Sequence, residues 1–142
     1  MRPEERWDFL VQLDDEMLGG GVILSEWSTV LVRDADTAFA NGAFLSAIFA
    51  AMAGIETHLR SECKGSRPLR LVDLITAADV SADTKNDLHQ LRRYRNNWVH
   101  VESPWNDEPL IARPSEFEHE MELMASLAMR TLRKVIYANQ FV

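Results

Sequence analysis

Cysteine is nearly absent from this 142-residue chain, in which Cys63 stands alone. A single thiol makes neither an internal disulfide nor a thiolate metal cluster, so the expected compartment is a reducing one, the cytoplasm. A basic excess is missing too. With 22 acidic against 15 basic side chains the formal net charge is −7, which argues against a surface that coats nucleic acid broadly and leaves room only for a local basic patch. Long apolar runs are lacking: the most apolar window, residues 43–55, is interrupted by Ser46. A membrane span needs about 20 apolar residues, so no membrane association is expected. Residues 1–6 carry no apolar stretch of the signal-peptide kind. Metal-ligand spacing is also missing. His58, His89 and His119 have no second histidine or cysteine at a useful separation, and Glu118-His119-Glu120 reads as a helix-start charge cluster. The expectation is no metal and no cofactor. Gly19-Gly20-Gly21 lacks the lysine and the preceding strand of a phosphate-binding loop and reads as a helix stop and hinge. No nucleophile-elbow sequence supports a hydrolase triad.

What is there has helical period. Hydrophobic residues make up 46% and charged ones 26%, ordinary globular composition for one domain that buries roughly two thirds of its unfolded surface. Trp7, Leu10, Val11 and Met17 recur at helical spacing in residues 3–18, behind a proline that suits a first turn. From residue 22 to about 63 the pattern stays helical. The short β-friendly runs 22–24 and 29–32 do not override it, and Asn41-Gly42 breaks it into two antiparallel helices of roughly 20 residues. Small residues such as Ala47, Ala50, Ala51 and Gly54 in the second of these permit close helix approach. Residues 64–68 read as a loop, followed by a short amphipathic helix and then a longer one capped by Ser81 or Asp83 and stopped by Pro104. Residues 103–114, with three prolines, read as an exposed loop. Ser115 and Glu118 form a capping box before the stripe Phe117, Met121, Met124, Ala128, Leu132 and Val135. Glutamates near the start of this last helix and Arg130, Arg133 and Lys134 near its end follow the order its dipole favours. The fold expected is all-α: a single four- to five-helix antiparallel bundle (residues 22–142) with an extra N-terminal helix and Gly hinge (residues 1–21).

Charge is uneven in one place. Residues 58–100 hold eight basic and five acidic side chains, a local +3 that leaves −10 on the remainder. The excess peaks at Arg92-Arg93-Tyr94-Arg95, directly before Asn96-Asn97-Trp98-Val99-His100. An anion bound here would meet guanidinium, carboxamide and imidazole groups together. At about 100° per residue, Arg92, Asn96 and His100 share a helix face, while Arg95 falls on the stripe of Leu88, Leu91 and Val99. An arginine there needs a partner, because an unpaired buried charge costs several kcal/mol. Two accounts stay open: a core carboxylate such as Glu56 or Asp73 pairs with Arg95, or the guanidinium is kept for a phosphate. Asn96 and Asn97 also suit a solvated helix end. His100 could cap carbonyls there, and Trp98 could serve as core, interface anchor or base-stacking platform.

The run Arg95-Asn96-Asn97-Trp98-Val99-His100 resembles the R-x4–6-H signature of the HEPN superfamily (higher eukaryotes and prokaryotes nucleotide-binding domains), in which a polar residue commonly follows the arginine. The preceding Leu91-Arg92-Arg93-Tyr94 is similar to it as well, as is the Ala-rich helix that closes with residues 53–60. The resemblance covers roughly residues 22–142. It implies a helical bundle that forms a homodimer through the motif helix, often a metal-independent endoribonuclease of toxin–antitoxin, phage-defence or RNA-processing systems. Members without activity serve as protein- or nucleotide-binding modules. Arg95, His100 and Asn96 are then the candidate catalytic residues, and Arg92, Arg93, Asn97 and Trp98 the candidate RNA-binding ones. The implied partners are RNA, a second copy of the chain and a cognate antitoxin or regulatory protein. Where nucleotidylation-silenced toxins carry a tyrosine two residues after the histidine, this chain has Glu102, so that form of control is not expected.

Metal-free RNA cleavage needs a base for the ribose 2′-hydroxyl proton and an acid for the leaving oxygen, each contributing typically ~10²–10⁴ in rate. One protomer supplies one motif histidine. On a regular helix Arg95 and His100 point about 140° apart, so a composite site with two histidines across a two-fold axis eases convergence on one phosphate.

Overall fold

In the computed structural model, which describes residues 1–63, 65 and 69–142, the described residues form seven α-helices and no strand. They are α1 (Pro3–Met17), α2 (Glu26–Ala40), α3 (Phe44–Glu62), α4 (Leu71–Ala77), α5 (Ala82–Val99), α6 (Glu108–Ala112) and α7 (Pro114–Ile136). None is long and apolar enough to cross a membrane. The expected loop at 64–68 lies, apart from Gly65, outside the described residues, as do Lys64 and Arg67 of the basic segment.

The core forms where α3 packs against α2 and α7. Ala47, Ile48, Ala51, Met52 and Ile55 of α3 are fully buried, and Gly54 sits between Leu31 of α2 and Leu132 of α7. The small residues seen in the sequence therefore lie at the crossing point of three helices. The C-terminal half of α7 is buried almost all round, at Ala128, Met129, Thr131, Leu132, Arg133, Val135 and Ile136. α1 docks on α2 and α7 and contributes Leu10 and Leu13 to the same core.

Three local readings differ from the pattern. α2 starts at Glu26, with Ser25 accepting from the Ser28 N–H at 3.1 Å, so residues 22–24 are not helical. The reason is distant: Gly21 and Phe141 exchange N–H···O bonds at 2.7 and 2.9 Å, and Gln140 Oε1 accepts from the N–H groups of Gly19 and Gly20 at 2.8 Å each. The glycine triplet thus runs against the end of the chain, and a Cβ on Gly20 would collide with the Phe141 carbonyl. Second, α7 begins two residues earlier than its capping box suggests, with Pro114 at the first position and Arg113 before it, because proline's fixed φ suits that site. Third, the proline-rich stretch 103–114 is exposed as expected but contains the short helix α6. Trp27 on α2 is 80% exposed. The buried face of α2 is Ser28, Ala35 and Phe39, one helical step away.

A charged cluster ties three helices together. Arg133, 1% exposed, donates from Nε to Asp14 Oδ1 at 2.9 Å, from Nη1 to Asp36 Oδ1 at 3.0 Å and from Nη2 to Asp36 Oδ2 at 2.8 Å. The Tyr137 hydroxyl donates to the same Asp14 oxygen at 2.8 Å. One guanidinium on α7 therefore joins α1 and α2, with the fork geometry that suits arginine over lysine. Burial pushes the Asp36 carboxyl above the usual carboxylate range, and Arg133 offsets only part of that. Burial acts first to lower the Arg133 pKa, but the two aspartates outweigh it and leave it raised. Tyr137 is pushed up by burial, then by Asp14.

Candidate functional site

α5 carries all the candidate residues except His100, which directly follows it. Ser81 caps it, accepting from the Thr84 N–H at 3.1 Å, so of the two possible caps the serine is used. No glycine or proline interrupts residues 82–99. Thr84, Leu88 and Leu91 are the buried positions, and the same seam continues through half-buried Arg95 and Trp98. The apolar stripe stops at Leu91 and polar chemistry takes over its last two turns; Val99, placed on that stripe, is 53% exposed.

Arg95 donates from Nη2 to Asn96 Oδ1 at 2.9 Å and from Nε to the same oxygen at 3.3 Å. Neither core carboxylate considered for it is engaged there: Glu56 pairs with Arg60 at 3.4 Å and Asp73 with Arg70 at 3.3 Å. Arg92 lies on the flank shared with Asn96, one turn back, and its Nε is buried without a hydrogen-bond partner. Arg93 is exposed on the outer face beside Asn97. His89 Nδ1, also buried, has no partner. Burial first, then Arg92 and Arg93, hold its imidazole below the usual histidine range. His100 follows the last helical residue at φ −115°, ψ 64°, with its backbone N–H on the Asn96 carbonyl at 2.9 Å. The regular step that would align it with Arg92 and Asn96 stops at Val99, leaving the imidazole exposed. Arg95 and Asn96 are thus brought into contact, while among the described residues no hydrogen bond joins the His100 side chain to either.

Pairing of the arginines sets this segment off from the rest of the described residues. Among the described residues, Arg2, Arg33, Arg60, Arg70, Arg113, Arg130 and Arg133 each have a carboxylate within ion-pair distance. Arg6 is committed to the Ala40 carbonyl at 2.9 Å and lies over the Phe44 ring at 5.6 Å. Among the described residues, Arg92, Arg93 and Arg95 have no carboxylate partner. Three arginines within four positions stay unneutralised in a chain of net charge −7.

Asn97 and Trp98 face elsewhere. They line a cavity of about 310 Å³ with Tyr94, Val101, Asn106, Pro109, Leu110, Phe117 and Glu120. Its walls are α5, the segment that carries α6, and the first turns of α7. Tyr94 and Trp98 rings stand 6.5 Å apart at 58°. The Tyr94 hydroxyl is buried without a hydrogen-bond partner, and its pKa is raised by burial and by Glu120, with Trp98 acting against them. Tyr94, Asn106, Phe117 and Glu120 were not singled out from the sequence. The i, i+4 spacing of Tyr94 and Trp98 is the one signal that could have found part of this wall. No three His, Cys, Asp or Glu side chains among the described residues converge as metal ligands would.

Comparison with known proteins finds no family model, no curated protein and no solved structure that matches this chain.

Proposed function

We propose that the protein is a metal-independent endoribonuclease of HEPN type, built on a four- to five-helix bundle, with a composite site where the C-terminal ends of two α5 helices meet in a homodimer. The observation that carries this reading is the set Arg92, Arg93 and Arg95, which lacks carboxylate partners where the other described arginines are committed. Guanidinium groups left without a carboxylate suit phosphate oxygens, which they bind in the same forked geometry. Asn96 already holds Arg95 in place, and His100 is exposed at the helix end, open to solvent and to a second copy of the chain.

In this mechanism one His100 takes the proton of the ribose 2′-hydroxyl. The 2′-oxygen attacks phosphorus, the bond from phosphorus to the 5′-oxygen breaks, and the second copy's His100 protonates the leaving oxygen. The products are a 2′,3′-cyclic phosphate and a 5′-hydroxyl. Arg95 stabilises the charge that grows on the phosphorane, work that a positioned donor does with no reorganisation at the moment of reaction. Asn96 positions the phosphate, and Arg92, Arg93, Asn97 and Trp98 bind the RNA around it. Toxin, phage-defence or RNA-processing use fits such an activity, with a cognate antitoxin or regulatory protein as partner.

A second reading is favoured by one observation: the Arg95 guanidinium turns onto Asn96 of its own helix. That arrangement suits a non-catalytic helical module that binds a protein or nucleotide. Mixed single-stranded RNA incubated in EDTA with wild-type protein and with the folded His100→Ala variant separates the two. Cleavage by the wild type alone supports the nuclease. Equal activity in both would sink it, and absence of cleavage in both moves the weight to the module.

A further inference from the structure

The cavity beside α5 has a composition that the phosphate site does not use. Three aromatic rings (Tyr94, Trp98 and Phe117), two carboxamides (Asn97 and Asn106) and one carboxylate (Glu120) surround about 310 Å³. That volume sits at the lower end of ligand pockets, which are lined mostly by apolar and aromatic side chains with a few polar groups that fix the ligand's orientation. The walls come from three separate segments, so the cavity is a product of the fold.

We infer that this cavity is a base pocket that selects guanine, built from the Trp98 and Tyr94 rings as the stacking wall and Glu120 as the edge reader. The inference rests on the nuclease reading for its setting, since Asn97 lines the cavity while sharing the outer face of α5 with Arg93. A phosphate held by Arg93 therefore lies next to the mouth. Aromatic faces accept any base; the choice among bases falls to the polar groups. An ionised carboxylate only accepts hydrogen bonds. Guanine offers it two adjacent donors, the ring N1–H and the 2-amino group. Adenine presents at its edge an unprotonated ring nitrogen, whose lone pair faces the carboxylate with repulsion. The carboxamide N–H groups of Asn97 and Asn106 are the donors available to the guanine 6-oxo group. The Tyr94 hydroxyl is a further donor: it is buried, Tyr94 lines this cavity, and among the described residues no group accepts from it. Glu120 is exposed at the rim, so replacing it removes an acceptor without opening the core.

Isothermal titration of the whole protein with guanosine 5′-monophosphate, adenosine 5′-monophosphate and choline tests the pocket without any cleavage. Guanosine monophosphate is expected to bind at least tenfold more tightly than adenosine monophosphate, and Glu120→Gln to abolish the difference while the melting temperature stays unchanged. Trp98→Ala should weaken both nucleotides. Equal binding of the two nucleotides, no saturable binding, or saturable binding of choline alone (an aromatic cage for a cation) each overturns the inference. Cleavage mapping keeps the two proposals apart. RNA cut without preference for guanine would refute the pocket and leave the nuclease standing, whereas selective guanine binding with no cleavage would do the reverse.

Discussion

Replacing Arg133 by methionine tests the cluster that joins three helices. The substitution keeps much of the side chain's length and apolar stem but removes three donors, two from Asp36 and one from Asp14. Breaking a buried ion pair on one side costs about 3–5 kcal/mol, because the remaining charge is left without compensation. Two features reduce that here. Asp14 and Asp36 side chains keep 39% and 20% of their exposure, and the already raised Asp36 carboxyl takes up a proton readily. The lower end, about 3 kcal/mol, is therefore expected. A chain of this length unfolds with an entropy of about 0.3 kcal/mol/K, so the melting temperature should fall by roughly 10 °C. Differential scanning calorimetry at pH 7, with far-ultraviolet dichroism to confirm helix content, reads it directly. The triple variant Arg133→Met/Asp14→Leu/Asp36→Leu should recover most of the loss, since a buried charged cluster replaced by apolar groups is often near neutral. A fall of less than about 3 °C for the single variant would refute the reasoning, because the cluster would then hold nothing together.

The Asp36 shift has a sign that can be checked. A raised carboxyl pKa means that the folded state holds the proton more tightly than the unfolded chain, so this contribution is present below the unfolded value and is lost as pH rises through the folded one. The stability of the wild type relative to Asp36→Asn, measured by urea unfolding, should fall as pH rises from below the ordinary aspartate value towards neutrality; a flat or rising difference contradicts the shift. Arg92 and Arg93 help to hold the His89 imidazole low, so an oligoribonucleotide that occupies them should raise the His89 titration midpoint in proton NMR, and an unmoved midpoint would place the anion elsewhere. Ser81→Ala removes the cap of α5 and should cost about 1 kcal/mol, a fall of roughly 3 °C in melting temperature. No change would mean that the cap hydrogen bond contributes nothing.

How much was legible in the sequence follows from how local each cause is. α3 could be read because its Ala-rich period is continuous and its neighbours need only close approach. The start of α2 could not, because residues 22–24 stay outside the helix beside a bond pair between Gly21 and Phe141, far apart in the chain. Arg133 read as one of three cations at a helix end. Its place amid Leu132, Val135 and Ile136 hinted at burial, but its partners lie 97 and 119 residues away. The basic run of α5 was plain from composition; that its arginines lack carboxylate partners was not, since Glu56 and Asp73 were equally available until Arg60 and Arg70 claimed them. The cavity was hidden for the same reason. It exists only once the proline-rich segment and α7 fold beside α5.

The central claim, phosphoryl transfer to the RNA's own 2′-hydroxyl at the end of α5, is tested most directly by the chemistry of the fragment ends. RNA incubated with the wild-type protein in EDTA should yield fragments ending in 2′,3′-cyclic phosphate with 5′-hydroxyl partners. Intact RNA, or fragments carrying 3′-hydroxyl and 5′-phosphate ends, would contradict it.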